Sequence, residues 1–257
     1  TSACTMASSS EPIFIPGVWG PYHSAMVPGL WLNEGGQSSA GAAIDQVISL
    51  HPAAHEARAM ATARGMALPD LLADMAAARV DRASAAVDLA GRLVVVPDFL
   101  GNRSPHADPE ARAAIAGLGM ERDLDSLVSL YVAGLLGLGY GLRQIVETSR
   151  ARGATIGSIE LGGGGGRHHL VRQLLADCTG VPVSAARQPE PVLLGAAMLG
   201  AAASGAFPGL AAAMEAMTGE ADVFRPAGGA AHDRRFAAFE ALQRTARTLR
   251  DIATPEV

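Results

Sequence analysis

The stretch best suited to chemistry is a run of five glycines, Gly162 to Gly166, which follows a short apolar segment and leads into a helical pattern. Because glycine lacks a Cβ atom, its backbone can approach a ligand closely, and the helix that follows offers free N–H groups and a positive dipole end. A strand, a glycine turn and a helix are typical of a phosphate or nucleotide contact. The same pattern also forms turns that only pack a helix tightly on a strand, so both interpretations stand.

Adjacent histidines, His168 and His169, follow Arg167 at the predicted entrance of this helix. Metal-binding pairs on a helix need a spacing of i and i+4, and no carboxylate stands at a matching distance. We therefore interpret the two histidines as a solvated helix cap and predict no metal site in the chain.

Composition excludes several classes of protein. All 20 basic residues are arginine, which excludes a P-loop, a Schiff-base lysine and the protein-kinase strand lysine. The formal net charge of −5 argues against nucleic-acid and acidic-membrane partners. Cys4 and Cys178 form neither a disulfide framework nor a zinc spacing, which predicts a cytoplasmic protein. No apolar run reaches about 18 residues without a break, so we expect no membrane span.

The elements that must position these residues alternate between strand and helix, which predicts an α/β fold. We see no repeat and no linker, and expect one domain over residues 1–257. Predicted strands are short ones in the first forty residues, Arg92–Phe99, Thr155–Leu161 and "VPVSA". The first predicted helix is capped by Ser38 or Ser39, and two or three more lie within 53–89. A long helix over 123–151 has Asp123 as N-cap and Gly153 after its end. One helix follows the glycines, and two more lie near 191–205 and 233–252.

Four quoted segments carry a resemblance to a known family. They are "PGVWGPYHSAMVPGLWLNEGGQSSAG", "DFLGNRSPHADPEARAAIAGL", "GGGGRHHLVRQLLADCTGVPV" and "PEPVLLGAAMLGAAASG", in this order. Together they resemble the C-terminal half of an FGGY-family carbohydrate kinase, closest to the D-ribulokinase-like branch, over nearly the whole chain.

The resemblance implies an actin-like, ribonuclease-H-like α/β fold with a mixed sheet covered by helices. In such kinases two domains face each other across a cleft, with ATP on the C-terminal domain and the sugar mainly on the N-terminal one. The resemblance therefore implies that residues 1–257 form the ATP-binding domain and that the sugar-binding half is absent. That half becomes an expected partner, and a homodimer is kept as a candidate assembly.

Several nucleotide contacts follow from the resemblance, residue by residue. Thr1 and Ser2 match the end of the Gly-Thr-Ser loop that touches the phosphates, and His168 stands where the family usually has an asparagine beside the base. The other matched positions are Gly41 and Asp45 after the phosphate region, and Gly163 and Gly164 under the adenine.

The implied reaction is phosphoryl transfer from ATP, with Mg²⁺, to a hydroxyl of a sugar or sugar alcohol. It needs positioning, charge stabilisation and a carboxylate that accepts the hydroxyl proton. The resemblance places this base on a strand upstream of Thr1, so we expect the chain alone to be inactive. Within the chain the alternative bases are Glu34, Asp98 and Asp108, although Asp98 and Arg103 also suit a structural clasp in their loop. Asp108, followed by Pro109, is most simply a helix N-cap.

D-ribulose is the acceptor that the branch favours, with ribitol, L-ribulose and xylulose as alternatives. Two other functions stand beside the kinase. One is a nucleotide-binding module of the actin-like superfamily without sugar kinase turnover, and the other, from the glycines alone, is a Rossmann oxidoreductase.

Overall fold

The computed structural model describes residues 2–163, 166–187 and 190–254. The helices in this part of the chain are α1 (Gly41–Ser49), α2 (Ala54–Ala63), α3 (Leu68–Ala77), a 3-10 helix (Ala83–Ala90), α4 (Leu124–Ala151), α5 (His169–Thr179), α6 (Pro191–Ala203), α7 (Leu210–Met217) and α8 (Gly229–Ala253).

The strands form three small sheets. They are β1 (Ala3–Ser9), β2 (Trp19–His23), β3 (Trp31–Gln37), β4 (Val94–Val96), β5 (Ala114–Ala116), β6 (Ile159–Glu160), β7 (Val183–Ala186) and β8 (Ala221–Phe224). The first sheet has the antiparallel order β1-β3-β2, and β4 pairs with β5. In the third sheet, β7 lies between a parallel neighbour, β6, and an antiparallel one, β8.

The core is built around α4. Its Leu127, Tyr131 and Leu136 are almost fully buried, and each buried side chain of this size contributes about 1.5–3 kcal/mol to the free energy of unfolding. The helix packs against α1, α5, the 3-10 helix and β4. It is therefore the common support of the elements that carry the predicted site.

Glycines on α4 set how closely its neighbours approach. A Cβ atom on Gly134 would lie 3.2 Å from Ile44 of α1, and one on Gly139 would lie 2.7 Å from Cys178 of α5. With a rise of about 1.5 Å per residue, these two contacts are about 7.5 Å apart along the helix. At the end of β3, Gln37 donates to the carbonyl oxygen of Leu138 at 2.8 Å, which fixes the first sheet to the same helix.

The ends of α4 are placed as the sequence predicts. The carboxylate of Asp123 accepts from the N–H of Ser126 at 2.8 Å, and Gly153 follows the helix with φ +91°. The predicted N-cap of α1 is wrong. The helix begins at Gly41 with Ala40 in the N-cap position, and neither Ser38 nor Ser39 caps it.

The α/β alternation is confirmed, but the strands are shorter than predicted. β4 covers three residues of Arg92–Phe99, and β6 covers two of Thr155–Leu161. The last helix begins at Gly229 rather than near Asp233. The sequence patterns did not reveal β5, α7 or β8, which are short and depend on tertiary partners.

Two apolar helices are buried to different extents. By length and composition α4 could cross a bilayer, contrary to the sequence expectation, yet 72% of its most apolar 18-residue window is buried inside the fold. By contrast, α6 leaves Val192, Leu193 and Leu199 exposed.

Candidate functional site

The glycine turn joins β6 to α5 with an open backbone. Gly163 has φ +91°, and a Cβ atom built on it meets no atom of the described residues within 4 Å. This conformation favours glycine, and the space beside it is available to a ligand. Gly164, also predicted to lie under the adenine, is outside the described residues, as is Thr1.

His168 is the N-cap of α5. Its Nδ1 accepts from the N–H of Leu170 at 3.1 Å, and its Nε2 lies 3.0 Å from Oδ1 of Asp74 on α3. The ring stacks on His169 with a centroid distance of 4.9 Å. The prediction of a histidine cap is confirmed, but the cap is not solvated, because only 16% of the His168 side chain is exposed. Its contact with adenine stays a prediction.

A second glycine opens α1. Gly41 is exposed and is the first helical residue, and a Cβ atom on it would meet nothing within 4 Å. The helix has no side-chain cap among the described residues, so the N–H groups of its first turn are free to bind an anion. Asp45, one turn on, is exposed, and Ser2 is exposed just before β1. The hydroxyl of Ser39 is buried beside this turn without a hydrogen-bond partner in the described chain.

The glycine turn and the start of α1 thus belong to helices that both pack on α4. The N-terminus of α1 has no side-chain cap in the described chain, and Gly163 exposes backbone shortly before α5, whose own N-cap is His168. Glycines that leave open space beside free N–H groups fit the phosphates and base of a nucleotide.

Glu34, one of the alternative bases, is held in a polar cluster. Its Oε1 accepts from Nη2 of Arg103 at 2.5 Å, and the same guanidinium lies over the Trp19 ring at 4.4 Å. Arg103 also donates to the Sγ atom of Cys4 at 3.3 Å. The Glu34 carboxylate is therefore already engaged in an ion pair with Arg103.

Asp98 is held by amides rather than by Arg103. Asn102 donates to both of its carboxylate oxygens at 3.2 Å, and Gln243 of α8 donates to Oδ2 at 3.1 Å. Burial raises the pKa of Asp98, against the effect of the hydrogen bonds from Gln243 and Asn102. The predicted clasp of Asp98 and Arg103 is therefore wrong, because Asp98 bonds to Asn102 and Gln243 while Arg103 pairs with Glu34.

Asp108 forms an ion pair with the last helix. Its two carboxylate oxygens accept from Arg250 at 2.9 and 2.7 Å, and Oδ1 also accepts from the N–H of Glu110 at 3.0 Å. Partial burial opposes ionisation, but these hydrogen bonds hold the pKa of Asp108 below its usual value. No helix follows Asp108, so its prediction as an N-cap is wrong.

Metal ligands are sparse in the described ranges. No group of three or more His, Cys, Asp or Glu side chains there could hold a metal ion. A magnesium ion keeps several waters and binds through one or two carboxylates and substrate phosphates. These residues do not form a cage for Mg²⁺ by themselves.

Sequence reasoning missed the polar side chains on α8. Gln243 contacts Asp98, accepts from Gln144 at 3.0 Å and lies 3.1 Å from His106. These contacts join residues up to 145 positions apart, so no local spacing could have revealed them.

Comparison with known proteins identifies the family. Residues 1–204 match the C-terminal domain of the FGGY family of carbohydrate kinases. The chain belongs to this family. It is 45% identical over 218 residues to an FGGY carbohydrate kinase domain-containing protein of Xenopus laevis, covering 85% of this chain and 40% of that protein. It is 39% identical over 210 residues to a D-ribulokinase of Saccharomyces cerevisiae, covering 80% of this chain and 29% of the yeast protein.

Solved structures agree with the predicted fold. A xylulose kinase from Brucella ovis superposes with a TM-score of 0.73 at 22% identity, covering 97% of this chain and 47% of that chain. A xylulose kinase from Rhodospirillum rubrum superposes with a TM-score of 0.70 at 24% identity, covering 96% of this chain and 46% of that chain. The actin-like fold of the FGGY kinases is therefore confirmed. The chain spans less than half the length of these FGGY relatives.

Proposed function

We propose that this FGGY domain is the nucleotide-binding part of an ATP-dependent carbohydrate kinase. The observations that support it most are the uncapped N-terminus of α1 at Gly41 and the open backbone at Gly163 before α5, since both helices pack on one core helix. In the proposed complex, the phosphates of ATP lie on the free N–H groups of α1 and the base lies by the glycine turn and His168.

The acceptor is a hydroxyl of a pentulose or pentitol, and D-ribulose is favoured because a D-ribulokinase is among the similar proteins. Phosphoryl transfer needs little covalent chemistry from the protein, so positioning and charge stabilisation by backbone N–H groups suit a chain without lysine. When bound, Mg²⁺ neutralises charge on the phosphates. Given the sparse ligands described above, most of its ligands would be phosphate oxygens and water.

The general base is proposed to come from the N-terminal half of the longer protein. Each internal alternative already has partners: Glu34 has Arg103, Asp98 has Asn102 and Gln243, and Asp108 has Arg250. A base must lie within hydrogen-bond reach of the proton it accepts and must be free to take it. We therefore expect the chain alone to bind nucleotide without phosphorylating a sugar, and we propose a cytoplasmic location on its cysteine usage.

The test is a coupled ADP-release assay with D-ribulose, ribitol, L-ribulose and xylulose. Full-length protein should show sugar-dependent turnover with D-ribulose, and the chain alone should show none, because loss of the base removes about 10²- to 10⁴-fold and loss of the sugar domain removes alignment. Sugar-dependent turnover by residues 1–257 would overturn the assignment of the base.

A nucleotide-binding module without kinase turnover is the second candidate, and it is favoured by the engagement of Glu34, Asp98 and Asp108 within the chain. The same assay separates the two functions. A full-length protein that binds ADP in calorimetry but releases no ADP with any of the four acceptors would support the module and exclude the pentulose and pentitol kinase.

A further inference from the structure

A cavity of about 370 Å³ lies between α8 and residues 110–115, which include the start of β5. Its volume lies in the range of small-molecule sites, about 300–1,000 Å³. Ile115 and Leu242 are among its apolar lining residues. Its charged lining residues are Asp98, Glu110, Arg112, Arg247 and Arg250. It shares no residue with the glycine turn or with α1.

Arg247 is the cation of this cavity that lacks a carboxylate partner. No Asp or Glu of the described chain lies within 4.0 Å of its guanidinium, whereas Arg250 is paired with Asp108. Its described contacts are through Nη2, 3.3 Å from Nε2 of His106 and 3.4 Å from Oε1 of Gln243. A guanidinium has five N–H donors and a permanent charge, so the described hydrogen bonds use only part of its donor capacity.

Asp98 supplies an acceptor in the same cavity. Its position is fixed by Asn102 and Gln243, which use three hydrogen bonds, while a carboxylate offers about four lone-pair sites. An anionic group on Arg247 and a hydroxyl donating to Asp98 would satisfy both side chains. An apolar or neutral ligand would leave the guanidinium without a counter-charge.

We propose that this cavity binds a small hydroxylated anion, with its phosphate or carboxylate on Arg247 and a hydroxyl on Asp98. Sugar phosphates and sugar acids share this chemistry. The site is independent of the proposed ATP-dependent reaction. Its α8 wall lies beyond the residues that match the family's C-terminal domain, 1–204.

The test is calorimetric titration of the full-length protein with D-ribose 5-phosphate, D-ribonate and D-ribose. Arg247→Met removes the charge and keeps the aliphatic stem, and Ala246→Trp fills the cavity while keeping the arginine. Arg244→Met is the matched control, because Arg244 is exposed on the same helix and does not line the cavity. Circular dichroism and the melting temperature confirm that each variant is folded.

We expect at least about tenfold weaker binding of the anions to Arg247→Met and to Ala246→Trp, as for loss of a charge-assisted hydrogen bond. The Arg244→Met variant should bind as the parent does. Binding of both anions supports a site that accepts either a phosphate or a carboxylate. Binding of D-ribose 5-phosphate alone supports a site that is specific for phosphate. The proposal fails if neither anion binds, if D-ribose binds as tightly as the anions, or if Arg247→Met and Ala246→Trp bind like the parent.

Discussion

The glycine turn after β6 and the loop after β4 both follow a short strand, and they are built in opposite ways. Gly163 has no side chain, and a Cβ atom placed on it would meet no atom within 4 Å in the part of the chain that the structure describes. In the loop, Asp98, Asn102 and Asp108 each form hydrogen bonds that fix the backbone or reach α8. Where no side chain fills the space beside a turn, that space is available to a ligand. A loop whose polar side chains are hydrogen-bonded serves as a rigid support.

This difference separates binding from stability. A substitution at Gly163 should change nucleotide affinity more than folding, because a Cβ atom there meets no atom of the described residues within 4 Å. Substitutions in the loop–α8 network should change folding first, because they leave buried polar groups without partners. Variants of Gln243, Gly163, His168 and Asp108 test this contrast.

Gln243→Leu should produce the largest loss of stability. It removes a donor to Asp98 and the acceptor for Gln144, both in the protein interior. Unsatisfied buried groups cost about 1–3 kcal/mol each, more when charged, so the free energy of unfolding should fall by about 2–4 kcal/mol. Urea denaturation of the full-length protein measures this.

Arg244→Leu is the control for this variant, because it makes the same kind of change on the exposed face of α8. This variant should change the free energy of unfolding by no more than about 0.5 kcal/mol. Equal stability of the two variants would show that the loop–α8 network is not a structural clasp.

Gly163→Val should weaken ADP binding clearly. A Cβ atom at this position meets no atom of the described residues within 4 Å, so the valine side chain would occupy the space assigned to the nucleotide. A β-branched residue at φ +91° also strains the backbone by about 1–3 kcal/mol. Calorimetry with ADP measures the affinity.

Gly153→Val separates strain from the loss of ligand space. Gly153 has the same φ of +91° and equally open surroundings, but it lies after α4. If both variants bind ADP like the parent, the glycine turn is not the nucleotide site.

His168→Ala should have a smaller effect on stability. It removes the N-cap acceptor for Leu170, which costs about 0.5–2 kcal/mol. His168→Asn keeps a capping oxygen and should recover most of this stability. If His168 borders the base, the alanine variant should also raise the Michaelis constant for ATP; an unchanged constant and ATP-over-GTP ratio would remove it from the site.

Substitution of Asp108 should have the smallest effect on the free energy of unfolding, and only at acidic pH. Because its folded-state pKa is lowered, its contribution is present above the unfolded pKa of about 3.9 and is lost as the pH falls through the folded value. Asp108→Asn should therefore flatten this part of the stability profile. Glu110→Gln is the control, since Glu110 is exposed and lies 3.9 Å from Arg112; the same flattening in both would contradict the role of the Arg250 pair.

Local patterns in the sequence determined much of this protein. The apolar period with Asp123 and Gly153 defined α4, the glycines marked the turn before α5, and four ordered segments identified the family. Each of these signals lies within a short stretch of chain, where propensity, capping and backbone freedom act directly.

Only the tertiary structure decided which groups meet. It separated Asp98 from Arg103, paired Glu34 with a residue 69 positions away, and brought Gln243 to Asp98 across 145 positions. It also shortened β4 and β6 and formed β5 and β8, whose hydrogen bonds depend on partner strands. Such contacts depend on how α4 and α8 pack, and side-chain packing over long sequence separations leaves no periodic signal in the local sequence.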